Sequence, residues 1–219
     1  MKRTTLTLAE FRDMDYLAIS EFGLPIELMM ENAGLQLARL VVKHVNGTDA
    51  QIYIGAGNGN NGGGGLVAAR RLQAWGFHTH LHLPFEITSE LPKRQLDRAL
   101  KFGAVADKPS TVDVRVDAYL GFSQKLPLGA ELVATVQEAN SLDCRRISLD
   151  IPTGISDGDN DERFDAHAIL TMAAPKFVLQ NLKTNPDIYL ADLGIPKAIY
   201  DTFGIDQPAF TQDQLLKIN

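Results

Sequence analysis

The chain has 219 residues, 45% of them hydrophobic and 22% charged, a size and composition that favour one globular domain over a linear array and exclude native disorder. Its net charge of −6 argues against affinity drawn from a nucleic-acid backbone, and the single Cys144 excludes an intrachain disulfide or a thiolate zinc site. Apolar runs fall well short of the roughly 18 residues of a membrane span, and Met1-Lys2-Arg3-Thr4 opens onto no apolar signal core, so a cytoplasmic protein is expected.

Thr7 to Phe22 spaces Leu8, Phe11, Met14, Leu17 and Ala18 at three- and four-residue intervals, which predicts an amphipathic helix with Thr7 as N-cap. After Gly23 and Pro25, a second helix is predicted from Ile26 to Val45, stopping near Asn46-Gly47. From residue 50 the pattern alternates. Strands are predicted at Ala50 to Ile54, His78 to Leu83, Val112 to Leu120, Arg146 to Ile151, Ala168 to Met172 and Ile188 to Leu193, with helices at Leu66 to Trp75, Glu90 to Phe102 and Gly129 to Ser141. Such βα alternation implies a three-layer α/β sandwich around a mostly parallel sheet, forming a single domain over residues 1–219. The helical residues 1–48 are read as an extension that caps an edge or forms a dimer surface, and residues 49–219 as the core. The polar run Asp157 to Arg163 is read as an exposed loop, and Ile205 to Asn219 gives no signal.

Residues 55–65, Gly-Ala-Gly-Asn-Gly-Asn-Asn-Gly-Gly-Gly-Gly, hold seven glycines between a predicted strand and a predicted helix. Glycine admits positive φ and lets a ligand lie against the backbone, and the first βα turn of a doubly wound sheet is where phosphates meet a helix N-terminus. No Gly-Lys-Ser/Thr follows, which excludes a Walker A loop. Gly57, Gly59 and Gly62 formally satisfy G-x-G-x-x-G, with Glu86 further on, but so glycine-rich a loop matches almost any such pattern.

Two acids fall at predicted strand ends, Asp117 in Val116-Asp117-Ala118-Tyr119-Leu120-Gly121-Phe122-Ser123 and Asp150 in Leu149-Asp150-Ile151-Pro152-Thr153-Gly154. An acid there is costly unless paired, hydrogen-bonded or bound to a cation. With Asn60 and Asn61 they would converge where doubly wound folds bind ligands. His78, His80 and His82 alternate along one strand and project to one face; their wide spacing reads as a polar strand face rather than a compact metal site.

The segment Asn60-Asn61-Gly62-Gly63-Gly64-Gly65-Leu66-Val67-Ala68-Ala69-Arg70 resembles the Asn-Asn-Gly-Gly-Asp-Gly signature of the NAD(P)H-hydrate epimerases, the YjeF N-terminal or apolipoprotein A-I binding protein family. Leu28-Met29-Met30-Glu31-Asn32-Ala33-Gly34, Val116 to Ser123, Leu149 to Gly154, Ala174-Pro175-Lys176 and Ala191-Asp192-Leu193-Gly194-Ile195-Pro196 are similar to further signatures, in order along the chain. The resemblance implies a Rossmann-like sandwich that interconverts the R and S forms of NADHX and NADPHX, the hydrated nicotinamide cofactors, as a homodimer. It assigns Asn60, Asn61, Gly62, Gly63 and Gly64, then Gly121, Phe122, Ser123, Gln124, Lys125, Leu126 and Pro127, with Asp150, to the substrate. It assigns Asn61, Asp117 and Thr153 to a potassium ion, a hard cation suited to oxygen ligands.

For the proton transfers of the reaction we expect Asp150 with Lys125, since both follow strand ends and could face one ring. Against the family pattern, Gly64 replaces the signature's aspartate, the loop through Gly55 to Gly59 is longer than usual, and Thr153 replaces a serine. A noncatalytic nucleotide-binding or scaffold module of the same fold is the second reading. A conventional dehydrogenase is the third, with no catalytic His-acid pair legible for it.

Overall fold

A computed structural model describes residues 3–155, 162–180, 182–211 and 215–219, so most of the polar run at 157–163 lies outside the described residues. The chain opens with α1 (Leu8–Phe22) and α2 (Ile26–Lys43). Then come β1 (Gln51–Ala56), α3 (Asn60–Ala74), β2 (His78–His82), α4 (Glu90–Lys101), β3 (Val114–Ala118), α5 (Ala130–Ser141) and β4 (Arg145–Leu149). β5 (Ala168–Met172), a 3-10 turn at Phe177–Leu179, β6 (Asp187–Ala191), α6 (Lys197–Thr202) and the short β7 (Leu216–Lys217) complete it. The strands form one sheet in the order β2-β1-β3-β4-β5-β6-β7, parallel except for β7. The expected three-layer sandwich is present, and its order is the flavodoxin-like variant of the doubly wound class, whose switch point lies between β1 and β3.

Strand alternation divides the core in two. Ile52, Ile54, Val114, Val116, Ile147, Leu149, Ala168 and Leu170 face the layer of α1, α2, α3 and α6. Ile169 and Ile188 face the other way, toward Leu132, Val136 and Ala139 of α5. The leading helices do not cap an edge: α2 lies against α3, β5 and β6, α1 meets α6, and Phe11, Met14, Leu37 and Leu40 are fully buried. Their apolar stripes need a partner, and the sheet face beside α3 provides it. The α1 start is fixed by a capping box in which the Thr7 hydroxyl accepts from the Glu10 N–H while the Glu10 carboxylate accepts from the Thr7 N–H.

The glycine segment departs from expectation. α3 begins at Asn60 rather than Leu66, so Gly62, Gly63, Gly64 and Gly65 lie inside its first turns, and none of the glycines from 55 to 65 has positive φ. Close packing is the reason they are glycine. A Cβ on Gly62 would overlap the Gly57 carbonyl oxygen; on Gly63 it would come within 2.6 Å of the Met30 side chain, and on Gly65 within 2.7 Å of the Ala118 Cβ. From α2, a Cβ on Gly34 would lie 2.8 Å from the Gly64 carbonyl oxygen. Helical glycine costs roughly 0.5–1 kcal/mol per residue relative to alanine, a cost offset here by bringing the α3 axis against both the sheet and α2.

Candidate active site

The strand ends at the switch point and residues of α1, α2, α3 and α5 enclose a cavity of about 680 Å³, a size suited to a dinucleotide fragment or other small ligand. Asn60, Asn61 and Gly64 line it from the start of α3, Gly121, Phe122, Ser123, Gln124 and Lys125 from the loop after β3, and Asp150 from the turn after β4. Arg12, Asp15 and Tyr16 of α1 and Met29 and Met30 of α2 form the opposite wall. Of the residues expected at the substrate, Gly62 and Gly63 pack against Gly57 and Met30 instead of the cavity, and neither Leu126 nor Pro127 lines it.

The lip is built from the α3 N-terminus. Gly59 caps that helix without a side-chain hydrogen bond, leaving the first-turn N–H groups for an anion. Asn58 ties the neighbouring loop down: its Oδ1 accepts from the N–H groups of Thr88 and Ser89 at 2.8 Å, and its Nδ2 donates to the Thr88 hydroxyl. Asn61 reaches inward. Its Nδ2 donates to the carbonyl oxygens of Leu120 at 2.7 Å and Leu149 at 3.2 Å, whereas its Oδ1 is buried with no hydrogen-bond partner. Gly121 sits where three segments converge; a Cβ there would lie 3.1 Å from Asp150 Oδ2 and 3.2 Å from Asn61.

The two expected acids occupy different places. Asp117 is 0% exposed and accepts four hydrogen bonds, from the Thr153 hydroxyl and N–H at 2.7 and 2.8 Å, the Ser148 hydroxyl at 3.0 Å and the Tyr119 N–H at 3.3 Å. Burial pushes its carboxyl up, against the pull of those donors. Neither Asp117 nor Thr153 lines the cavity, although the Thr153 hydroxyl accepts from the Leu120 N–H at its edge.

Asp150 sits at φ 68°, a left-handed conformation that aspartate tolerates better than most side chains and that costs about 1 kcal/mol or more. Its Oδ2 accepts from the Phe122 N–H at 2.8 Å and its Oδ1 faces the Lys176 ammonium at 3.0 Å. Lys176, only 1% exposed, also donates to the Thr171 hydroxyl and the Met172 carbonyl, both at 2.9 Å, and stands 3.7 Å from the centre of the Phe11 ring. Burial pulls the lysine down, opposed by the Asp150 charge. Lys125, expected to work with Asp150, is exposed at the cavity rim; the amine that meets Asp150 is Lys176.

Lys176 and Asp15 are the site residues that the sequence reading missed. Lys176 was visible only as part of Ala174-Pro175-Lys176. Asp15 had a signal, for it stands among Phe11, Met14 and Ala18 on the buried stripe of α1, an acid where an apolar residue belongs. Burial pushes its carboxyl up to about 7, with Lys176 lowering and Asp150 raising it. The three alternating histidines do share a face, but His80 meets Asp107 and Gln51, and His82 meets the Tyr119 hydroxyl. Among the described residues no group of three His, Cys, Asp or Glu side chains is placed to hold a metal.

Fold and cavity together define a doubly wound α/β protein with a cavity at the β1/β3 switch point, where Asp150 is backed by a buried lysine. Residues 26–178 match the family described as YjeF-related protein N-terminus, and the chain belongs to that family. It is 35% identical to the NAD(P)H-hydrate epimerase of Dehalogenimonas lykanthroporepellens, covering 92% of this chain and 86% of that one. The NAD(P)H-hydrate epimerase of Rhodopirellula baltica is 32% identical, with 91% and 88% covered. A bifunctional NAD(P)H-hydrate repair enzyme of Archaeoglobus fulgidus is also 32% identical, matching over 91% of this chain but 44% of its own length. The crystal structure of yeast ynu0 shares the fold, with a TM-score of 0.88 at 24% identity, over 99% of this chain and 100% of that one. Among the described residues no helix is long and apolar enough to cross a membrane.

Proposed function

We propose that this chain is an NAD(P)H-hydrate epimerase, an isomerase that interconverts the R and S forms of NADHX and NADPHX in cofactor repair. The observation that carries the reading is the cavity itself: the Asn60-Asn61 lip and Asp150 lie on one hollow, in a chain whose relatives carry that name. The free N–H groups at the start of α3 suit the pyrophosphate, and the apolar wall of Met29, Met30 and Phe122 suits the ring. Asp150 would face the reacting carbon, and Lys125 at the rim suits a phosphate contact better than proton transfer.

A potassium ion is part of the same proposal, held by Asn61, Asp117 and Thr153. The unpartnered Oδ1 of Asn61 and an all-oxygen donor set suit a hard monovalent cation. Asp117 already takes four hydrogen bonds, so binding would exchange at least one of them and be weak. When bound, the ion would supply positive charge beside the loops after β3 and β4 and fix them against each other. The protein is further proposed to act as a homodimer in the cytoplasm, which sedimentation at micromolar concentration and cell fractionation would check.

The direct test supplies R-NADHX and follows the S form, with and without potassium. Interconversion above the spontaneous rate is expected, faster with the ion. Binding of NADHX without turnover would instead support the scaffold reading, which the glycine at 64 in place of the family's acid makes worth testing.

A further inference from the structure

The α1 wall of the cavity holds a carboxyl group that no residue role assigned so far employs. Asp15 projects from α1 onto the same hollow as Asp150, and its Oδ1 is buried with no hydrogen-bond partner. A buried carboxyl oxygen is normally satisfied by the protein, and leaving one open costs stability without return unless a ligand completes it. Its position is not accidental to the packing. The capping box at Thr7 fixes where α1 begins, and Leu6 pairs with the backbone around Lys176, its N–H donating to the Pro175 carbonyl while its own carbonyl accepts from the Phe177 N–H. These contacts hold the buried stripe of α1, Asp15 included, against the Lys176–Asp150 pair.

We propose that Asp15 is the general acid of the epimerisation, with Asp150 as the accepting carboxylate and Lys176 as the residue that positions Asp150. The inference rests on the epimerase reading. In the hydrated nicotinamide the hydroxyl sits on a carbon bonded to the ring nitrogen. Asp15 gives its proton to that hydroxyl, the carbon–oxygen bond breaks with its electrons going to oxygen, and water leaves. The nitrogen lone pair closes a carbon–nitrogen double bond. Water adds to the other face of the carbon, the double bond's electrons return to nitrogen, and Asp150 takes the proton that the water loses. Passage of one proton from Asp150 back to Asp15 through the water in the cavity restores the enzyme, and substrate and product differ only in configuration.

Such a donor must be neutral near the working pH, and burial holds Asp15 in that condition. The charged and polar groups around it are Asp150, the Lys176 ammonium that pairs with Asp150, and the Tyr200 hydroxyl of α6, which donates to the Ala173 carbonyl; Arg12 lines the same cavity from α1. Lys176 alone supplies a buried positive charge among them, and it is committed to Asp150.

The test measures R-to-S conversion and thermal stability of the wild type and of Asp15→Asn. The expected result is a drop in kcat of about 10²-fold or more with KM changed less than about threefold. Alongside it, Tm at pH 8 should rise, because the variant loses a buried carboxylate; a purely structural role would lower it. Wild-type kcat should fall as pH rises above neutrality, which gives a readout even if the variant fails to fold. An active wild type paired with an Asp15→Asn variant of unchanged kcat, or a wild-type kcat flat from about pH 6 to 9, overturns the assignment alone. A wild type that does not interconvert the epimers overturns the epimerase reading and this assignment with it.

Discussion

Asp117 and Asp150 close neighbouring parallel strands, carry the same side chain and are both sealed from bulk water, yet their chemical situations are opposite. Asp117 is still within β3, so alternation turns it into the packed layer, where four donors occupy its oxygens. Asp150 has just left β4, and the left-handed turn there carries it to the cavity floor, between one N–H and a buried ammonium. A buried acid whose lone pairs are all taken holds loops together; one that lines a cavity with a second acid, backed by a buried cation, is available for chemistry. Asp117 lies level with Ser148 in the ladder, so Asp150 stands two residues further on, past the end of its strand, and the left-handed turn there separates the two roles.

The sharpest way to break this contrast is Lys176→Met, which leaves Asp150 buried beside Asp15 without its cation. The expected loss is about 3–5 kcal/mol in urea unfolding at pH 8. A loss below about 1 kcal/mol would show that the floor tolerates an unpaired acid. Next is the pH dependence introduced by Asp15. Its folded-state value near 7 exceeds the 3.8 of a free aspartate, so the folded form binds the proton more tightly. Its contribution to stability therefore falls as pH rises through that window and levels off above it. Asp15→Asn should remove that slope, gaining on the order of a few kcal/mol over the wild type at pH 8 and little at pH 4; parallel stability curves would contradict it.

On the other side of the contrast, Asp117→Asn turns an amide N–H₂ toward the Thr153 N–H or the Ser148 hydroxyl, and about 1–3 kcal/mol of stability should be lost. If Asp117 also holds potassium, the variant should lose any stabilisation by added potassium chloride relative to sodium chloride; an unchanged response would remove Asp117 from the ligand set. The smallest effect is expected of the exposed Lys125. Lys125→Met should leave stability within about 0.5 kcal/mol and kcat nearly unchanged while raising KM a few-fold. A large fall in kcat would return Lys125 to the proton transfers.

How much of this was legible in the sequence varied with the range of the interaction. The βα alternation, the helix start at Thr7 and the strands ending near Asp117 and Asp150 are local patterns, and the strand boundaries shifted by only a few residues. The start of α3 was misplaced because glycine is a poor helix former, and only the close approach of α2 and the sheet explains four of them in one helix. Lys176 and Asp15 were missed for a related reason. Lys176 has no chemical signature at short range and Asp15 has only its place on an apolar stripe; what unites them is the pairing of Leu6 with Lys176, which periodicity does not register. Even the contrast between the two acids needed the backbone, since both segments read as an acid at the end of an apolar strand.

That pairing has a consequence for how the protein comes into being. Arg3 bridges to Ile205 and Leu6 to Lys176, so segments from opposite ends of the polypeptide are neighbours. Contacts spanning so much chain are entropically slow to form. The α1 wall and the Lys176–Asp150 pair, which join both ends of the chain, are therefore expected to be among the last parts of the fold to close.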